Sequence, residues 1–310
     1  MTAAGPSAAR IWAALLVVYV VWGSTYLAIL LTIDTIPVFL QGAIRFLVAG
    51  ALLYAWSIRL GEREGDRPGA RQWGAAAVVG AALFLAGNTG VAWAETRVDT
   101  GIASLVIATV PLWMALFDRV ACGQRLGPTS VAGLIVGFAG ASLLAGPTGH
   151  GHVDFAGAIV LLGAAASWAA GSLYARRAPL PRRPLVSSAM QMLAGGAMLA
   201  VVAAASGELG RVHDVSATSV LSLVYLIVFG SILAFTCYAW LLRTARTSLV
   251  STYAYVNPLV AVFLGWAIES EPIGARTIVA GSLILAAVAL IVTPTRERSH
   301  EAVAVPARGR

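Results

Sequence analysis

The feature that most constrains this chain is a succession of apolar runs, each about 20 residues long, broken by short arginine-bearing segments. A helix of that length matches the hydrocarbon thickness of a bilayer. Lipid offers no hydrogen bonds to a bare backbone, so each run must satisfy its own amides by coiling into a helix. The runs fall at roughly 11–31, 36–58, 72–94, 100–118, 129–146, 155–175, 184–206, 217–242, 247–268 and 274–293. They predict an all-α integral membrane protein of ten transmembrane helices. Only 11% of the 310 residues are charged, against about 25% in a soluble domain, so the chain lacks the charge for a soluble surface. The first run leads into the second without a small-residue cleavage site, so it is expected to stay as a membrane helix.

Arginine sets the orientation, because cytoplasmic loops retain the excess of positive charge. With the N-terminus inside, the inner loops and tail hold 17 of the 21 basic residues: Arg10, Arg59, Arg63, Arg67, Arg71, Arg119, Arg125, Arg176, Arg177, Arg182, Arg183, Arg243, Arg246, Arg296, Arg298, Arg308 and Arg310. The outer loops hold Arg97, Arg211 and Arg276, and Arg45 falls within the second run. This split predicts a multi-pass protein of a bacterial-type inner membrane with both termini cytoplasmic. The net charge of +7 is dispersed between apolar runs rather than along one polar face, which excludes nucleic acid as a partner. Cys122 and Cys237 are far apart and have no metal-ligand spacing.

A shift of 147 residues superimposes the third to fifth runs on the eighth to tenth. Thr89 falls on Thr236, Ala92 on Ala239, Trp93 on Trp240, Thr100 on Thr247, Ser104 on Ser251 and Pro111 on Pro258. The first and sixth runs match more loosely, through Trp22-Gly23-Ser24-Thr25-Tyr26 and Trp168…Gly171-Ser172-Leu173-Tyr174. Two five-helix repeats are therefore expected, over 11–146 and 155–293, with a disordered cytoplasmic tail at 294–310. Because five is odd, the second copy enters from the opposite face, giving the inverted repeat common in carriers.

These residues carry a family resemblance. The Trp22-Gly23-Ser24-Thr25-Tyr26 segment, Arg45-Phe46, Val110-Pro111-Leu112 and Asn257-Pro258-Leu259 resemble EamA-type members of the drug/metabolite transporter superfamily, over about Ile11 to Thr293. Gly123-Gln124 and Ser270-Glu271 stand where that family often has Gly-Glu. The resemblance implies ten spans in two repeats, and export or exchange of amino acids, related metabolites or drugs. It also implies a central cavity lined by the first, third, fourth, sixth, eighth and ninth spans.

Candidate cavity residues are the polar and aromatic groups within the runs: Trp22, Ser24, Thr25, Tyr26, Asn88, Trp93, Trp168, Ser172, Tyr238, Trp240, Tyr253 and Asn257. Interfacial anchoring is the competing role for the aromatic residues. Arg45 is the one ionised side chain deep in a run, where it either holds the fold or meets an anionic substrate group. Pro111 and Pro258 are expected to kink their helices and free the carbonyls of Ile107 and Ala254, as static bends or as hinges. Gly133 and Gly137 form a small-residue face for packing within the chain or between copies, which leaves a homodimer open. Asp34, Glu95, Asp99 and Asp118 lie near run ends, and none occupies a run centre. Glu95 is the best carboxylate for proton coupling, although its place predicts a solvated charge. His150 and His152 lack the further ligands a metal needs.

A secondary transporter working by alternating access accounts for these features. Its partners are a small-molecule substrate and the lipid bilayer, and no cofactor or metal is implied. The alternative is an intramembrane enzyme acting on lipid-linked substrates, which would require clustered nucleophile, base or metal ligands at one depth.

Overall fold

The computed structural model describes residues 7–59, 68–98, 103, 106–123, 127–145, 154–269 and 274–292. Asp99, Thr100, Ser104, Gln124, His150, His152, Ser270, Glu271, the Cys122 side chain and the 294–310 tail lie outside the described residues. Among those described, the chain is all helical, with no β-strand. Its helices are α1 (Ala8–Ile33), α2 (Val38–Arg59), α3 (Ala70–Ala94), α4 (Val110–Cys122) and α5 (Pro128–Ala145). They continue as α6 (Phe155–Arg177), α7 (Pro184–Ala205), α8 (Ala217–Thr244), α9 (Tyr253–Glu269) and α10 (Ala275–Val292). Six of them, α1, α2, α3, α6, α7 and α8, are long and apolar enough to cross a membrane, and α5 and α10 carry shorter apolar stretches.

Local sequence sets the helix ends. The Asp154 side chain caps α6 by accepting from the Ala156 and Gly157 amides, and Ser216 caps α8 through the Ser219 amide. Pro184 occupies the first turn of α7, where its missing N–H has no partner to lose. Gly123 ends α4 with φ 63°, a left-handed conformation that glycine adopts without strain.

Packing runs mostly between the N-terminal and C-terminal halves of the chain. α2 lies along α7, and α5 along α10. α1 packs on α8 and α9, while α6 packs on α3 and α4. Without a hydrophobic drive between helices in lipid, close approach supplies the attraction, and small residues permit it. Gly80 of α3 and Gly195 of α7 meet backbone to backbone: a Cβ on Gly80 would lie 2.6 Å from the Gln191 carbonyl oxygen. The Gly133–Gly137 face is occupied within the chain, with Gly133 against Ile291 of α10 and Gly137 against the Tyr255 ring of α9.

Among the described residues, Arg176, Arg177 and Arg243 lie at one end. There Arg177 meets Asp118 at 3.5 Å, Arg176 donates to Thr247, and Arg243 donates to the carbonyls of Pro181 and Arg182. At the other end Arg97 pairs with Asp154 at 3.4 Å, Glu208 accepts from the Leu40 amide of α2, and Arg276 donates to the Leu143 carbonyl. The amide hydrogen bonds from Ala156, then Gly157, and the nearby Arg97 hold the Asp154 carboxyl below the usual carboxylate range.

Two expectations about helix continuity are corrected. The fourth run is not one kinked helix: a turn at Ala108–Thr109 interrupts it, and Pro111 lies in the first turn of α4. Restarting the helix avoids the clash of the proline ring with the preceding turn, so Pro111 opens a helix rather than bending one. The ninth run is also interrupted, with a single helical turn at Thr247–Val250 before α9. Hydroxyls serve the carbonyls at these breaks, Thr109 donating to Val106, Ser251 to Ser248 and Thr252 to Leu249. Pro258 does lie inside its helix.

Candidate functional site

Two helices change register in mid-span. Within α3, residues Ala81–Asn88 are π-helical, and within α8, residues Leu226–Phe235 are π-helical. Moving the first segment by 147 residues places it at 228–235, inside the second. Such stretches widen the helix and turn carbonyls off the axis, and they recur at functional sites. Each of them receives a donor from the other half of the chain. The Trp22 indole of α1 donates to the Gly230 carbonyl at 3.1 Å, and Ser167 of α6 donates to the Ala82 carbonyl at 3.0 Å.

Between these segments lies a cavity with about 90 Å³ of room for the centres of water molecules. One water needs about 10–15 Å³ on that measure, so the space suits several waters or a small metabolite. Its walls include Trp22, Thr25 and Tyr26 from α1, Arg45 and Phe46 from α2, and Phe84, Gly87 and Asn88 from α3. Trp168 of α6, Gly230, Ser231 and Phe235 of α8, and Tyr253 and Asn257 of α9 also line it, with Val91, Ile107 and Val110. Of the residues singled out from the sequence, Trp22, Thr25, Tyr26, Arg45, Asn88, Trp168, Tyr253 and Asn257 therefore converge. Along α1 the lining runs from Trp22 to Ile29, so the cavity occupies the half away from the arginine-rich end.

Its floor is aromatic. Trp22 makes ring contacts with Trp168, Tyr238 and Tyr253 at 5.5, 4.9 and 5.1 Å between centroids. Tyr238 is fully buried beneath the wall; its hydroxyl accepts from the Trp168 indole at 3.1 Å and bonds Ser172 at 2.6 Å. Lower still, the Tyr19 hydroxyl bonds Thr252, tying α1 to the start of α9.

Arg45 is 3% exposed. Its Nε donates to Ser231 Oγ at 2.8 Å, a terminal nitrogen reaches Asn88 Oδ1 at 3.5 Å, and its guanidinium carbon lies 5.0 Å from the centre of the Phe46 ring. Among the described residues no carboxylate lies within ion-pair distance of it. The Asn257 amide, 4% exposed, leaves its oxygen buried without a hydrogen-bond partner. The wall thus holds a cation with neutral partners and an unused amide acceptor, joined by aromatic faces.

Ser24, Trp93, Ser172, Tyr238 and Trp240 do not reach the wall. Ser24 bonds the Val21 carbonyl and the Tyr225 hydroxyl. The Trp93 ring takes the Arg97 guanidinium 4.4 Å from its centre, and Trp240 packs against the core. Ser172 and Tyr238 form the layer below. The sequence reading missed Ser231 and Phe46, and the cavity implied by the resemblance left out the second span, which lines the wall through Arg45 and Phe46. A serine amid the apolar Leu226–Phe235 stretch was the available signal for Ser231. The expectation of a solvated Glu95 is corrected: both its carboxylate oxygens are buried without a partner. Its position at the end of α3 was legible, but the direction of its side chain was not.

The family model for EamA-like transporters matches residues 10–146 and again 155–293. The chain belongs to the EamA-like transporter family. This EamA-like protein is 36% identical over 282 residues to the inner membrane transporter YedA of Escherichia coli K12, across 91% of this chain and 90% of that one. It is 32% identical over 296 residues to a Streptantibioticus cattleyicolor protein named "Probable terminal-alkyne amino-acid exporter", across 94% and 96% of the two chains. A solved crystal structure superimposes with a TM-score of 0.76 at 22% identity, covering 92% of this chain and 97% of its own, a likeness of fold. The EamA-like chain is thus a multi-pass membrane protein of transporter type.

Proposed function

We propose that this EamA-like protein carries small carboxylate-bearing metabolites, amino acids foremost, across a bacterial inner membrane. The observation that carries this reading is Arg45, a buried guanidinium on the cavity wall whose hydrogen bonds go to neutral groups. A cation in that place is costly, and an incoming carboxylate offsets the cost while taking charge-assisted hydrogen bonds. The unpartnered Asn257 oxygen is suited to an ammonium group, and the Trp22, Trp168 and Tyr253 rings to an apolar side chain. The exporter and inner-membrane names of the two relatives accord with this cargo and place.

The transport cycle is alternating access by two inverted five-helix repeats, 11–146 and 155–293, with ten membrane crossings and both termini in the cytoplasm. The reciprocal packing supports it: α1 on α8 and α9 mirrors α6 on α3 and α4, and α2–α7 and α5–α10 each pair equivalent helices. The two π-helical segments are also equivalent at the 147-residue shift. In this cycle the cavity belongs to the outer half, and rocking would move the aromatic floor aside to open the inner route.

Counterflow tests the proposal. Purified protein in liposomes preloaded with unlabelled amino acids should transiently accumulate trace labelled amino acid above empty liposomes. Accumulation of amines without a carboxylate, and none of amino acids, would sink the assignment to Arg45.

A further inference from the structure

Glu95 is the first residue past α3, and both of its oxygens are buried without a hydrogen-bond partner. An ionised carboxylate in such surroundings is strongly penalised, whereas the protonated acid is tolerated, so the group changes charge when water reaches it. Its position ties it to the cavity. Asn88, Val91 and Glu95 are spaced i, i+3 and i+7, which puts them on one helical face, and the Glu95 amide donates to the Val91 carbonyl at 2.9 Å as that register requires. Asn88 and Val91 both line the cavity. Tyr26 of α1 and Tyr253 of α9 line the same cavity. Two hydroxyl-bearing side chains thus line the cavity that the Asn88–Val91 face of α3 also borders.

The surrounding charges are engaged elsewhere. Arg97, two residues on, is turned to the Trp93 ring and to Asp154 of the α6 cap. Arg45 of α2 is bonded to Ser231 and Asn88. Tyr225 of α8 bonds Ser24. Among the described residues, Tyr26 of α1 is the titratable group that interacts electrostatically with Glu95.

We propose that Glu95 is the proton-coupling site of this carrier, a role that rests on the transport function proposed above. With the cavity facing outward, the carboxylate takes one proton from the outer solution. With the cavity facing inward, the same proton leaves through Tyr26 and the cavity water to the inside. One proton thus enters for each cargo molecule expelled, and the carboxylate returns to its starting charge.

The test uses full-length protein in liposomes, with a mixture of radiolabelled amino acids as probe, and compares wild type, Glu95→Gln and Glu95→Asp. Counterflow is measured without a pH gradient, and concentrative transport with one imposed. The expected result is counterflow in all three, and gradient-driven accumulation in wild type and Glu95→Asp that falls to the gradient-free level in Glu95→Gln. Equal accumulation by Glu95→Gln and wild type overturns the proposal. Loss of counterflow by Glu95→Gln that is monodisperse and retains the wild-type melting temperature also overturns it, because Glu95 would then act in binding or movement rather than coupling. Absence of counterflow in wild type overturns the underlying transport reading and this proposal with it.

Discussion

Arg45 shows how a single buried charge narrows what a cavity can take. Its hydrogen bonds to Ser231 and Asn88 hold the guanidinium at the wall but leave its charge without a counter-ion among the described residues. Arg45→Ala is expected to weaken carboxylate-bearing cargo by about 2 kcal/mol, roughly thirtyfold in apparent affinity. Arg45→Lys should recover part of that, because the charge returns without the planar fork. Concentration-dependent counterflow measures both. Trp168→Ala and Asn257→Ala should lower transport while leaving membrane insertion intact, the first by removing a floor ring, the second by removing the free amide acceptor. Unchanged transport by both variants would take these residues out of the site. Arg45, Trp168 and Asn257 were legible in the sequence because a polar or indole side chain in an apolar run stands out. Phe46 was not, since one more aromatic in such a run carries no signal of direction.

Helices here are positioned by close approach rather than by amphipathic stripes. The Gly80–Gly195 contact holds α3 against α7 directly beside the π-helical segment that supplies Phe84, Gly87 and Asn88 to the cavity. Gly80→Ala would drive a methyl into the α7 backbone and is expected to cost about 1–3 kcal/mol, as overpacking does. A lowered melting temperature in detergent checks this; an unchanged one would mean the helices separate freely. The π-helical segments were not legible in the apolar sequence, and the donors that meet their carbonyls, Trp22 and Ser167, come from distant helices. Pro111 and Pro258 are equivalent in sequence yet differ in use, one opening a helix and the other lying inside one. A proline states that its own N–H is missing, and the surrounding fold decides whether the chain breaks or bends there.

At the scale of the molecule, the placement of Arg176, Arg177 and Arg243 at one end makes the orientation testable. On a cysteine-free background, Arg211→Cys should react with a membrane-impermeant maleimide in intact cells, and Arg182→Cys only after lysis. The reverse pattern would invert the proposed orientation and with it the direction of proton entry through Glu95. The same two-ended organisation places the cavity toward the end away from the arginine-rich one, with the Tyr238 layer between them. The buried Tyr238 layer separates the cavity from the arginine-rich end, and the proposed alternating access would have to move it.

What the sequence by itself determined was one-dimensional: the length of the apolar runs, the alternation of arginine between them, and the residue matches at a shift of 147. The runs and the charges suffice for a helical, multi-pass membrane protein, because lipid demands self-satisfied backbones and charge marks the loops, while the family resemblance rests on the motifs around Trp22, Arg45, Pro111 and Pro258. The tertiary structure decided which side of each helix matters. A membrane helix such as α6 is nearly apolar all round, so hydrophobicity cannot tell a cavity wall from a lipid-facing one. Neither the bond from Arg45 to Ser231, 186 positions along the chain, nor the burial of Glu95 follows from the local sequence around them. Both arise where separate helices meet, and only their packing fixes which polar groups are left facing one another.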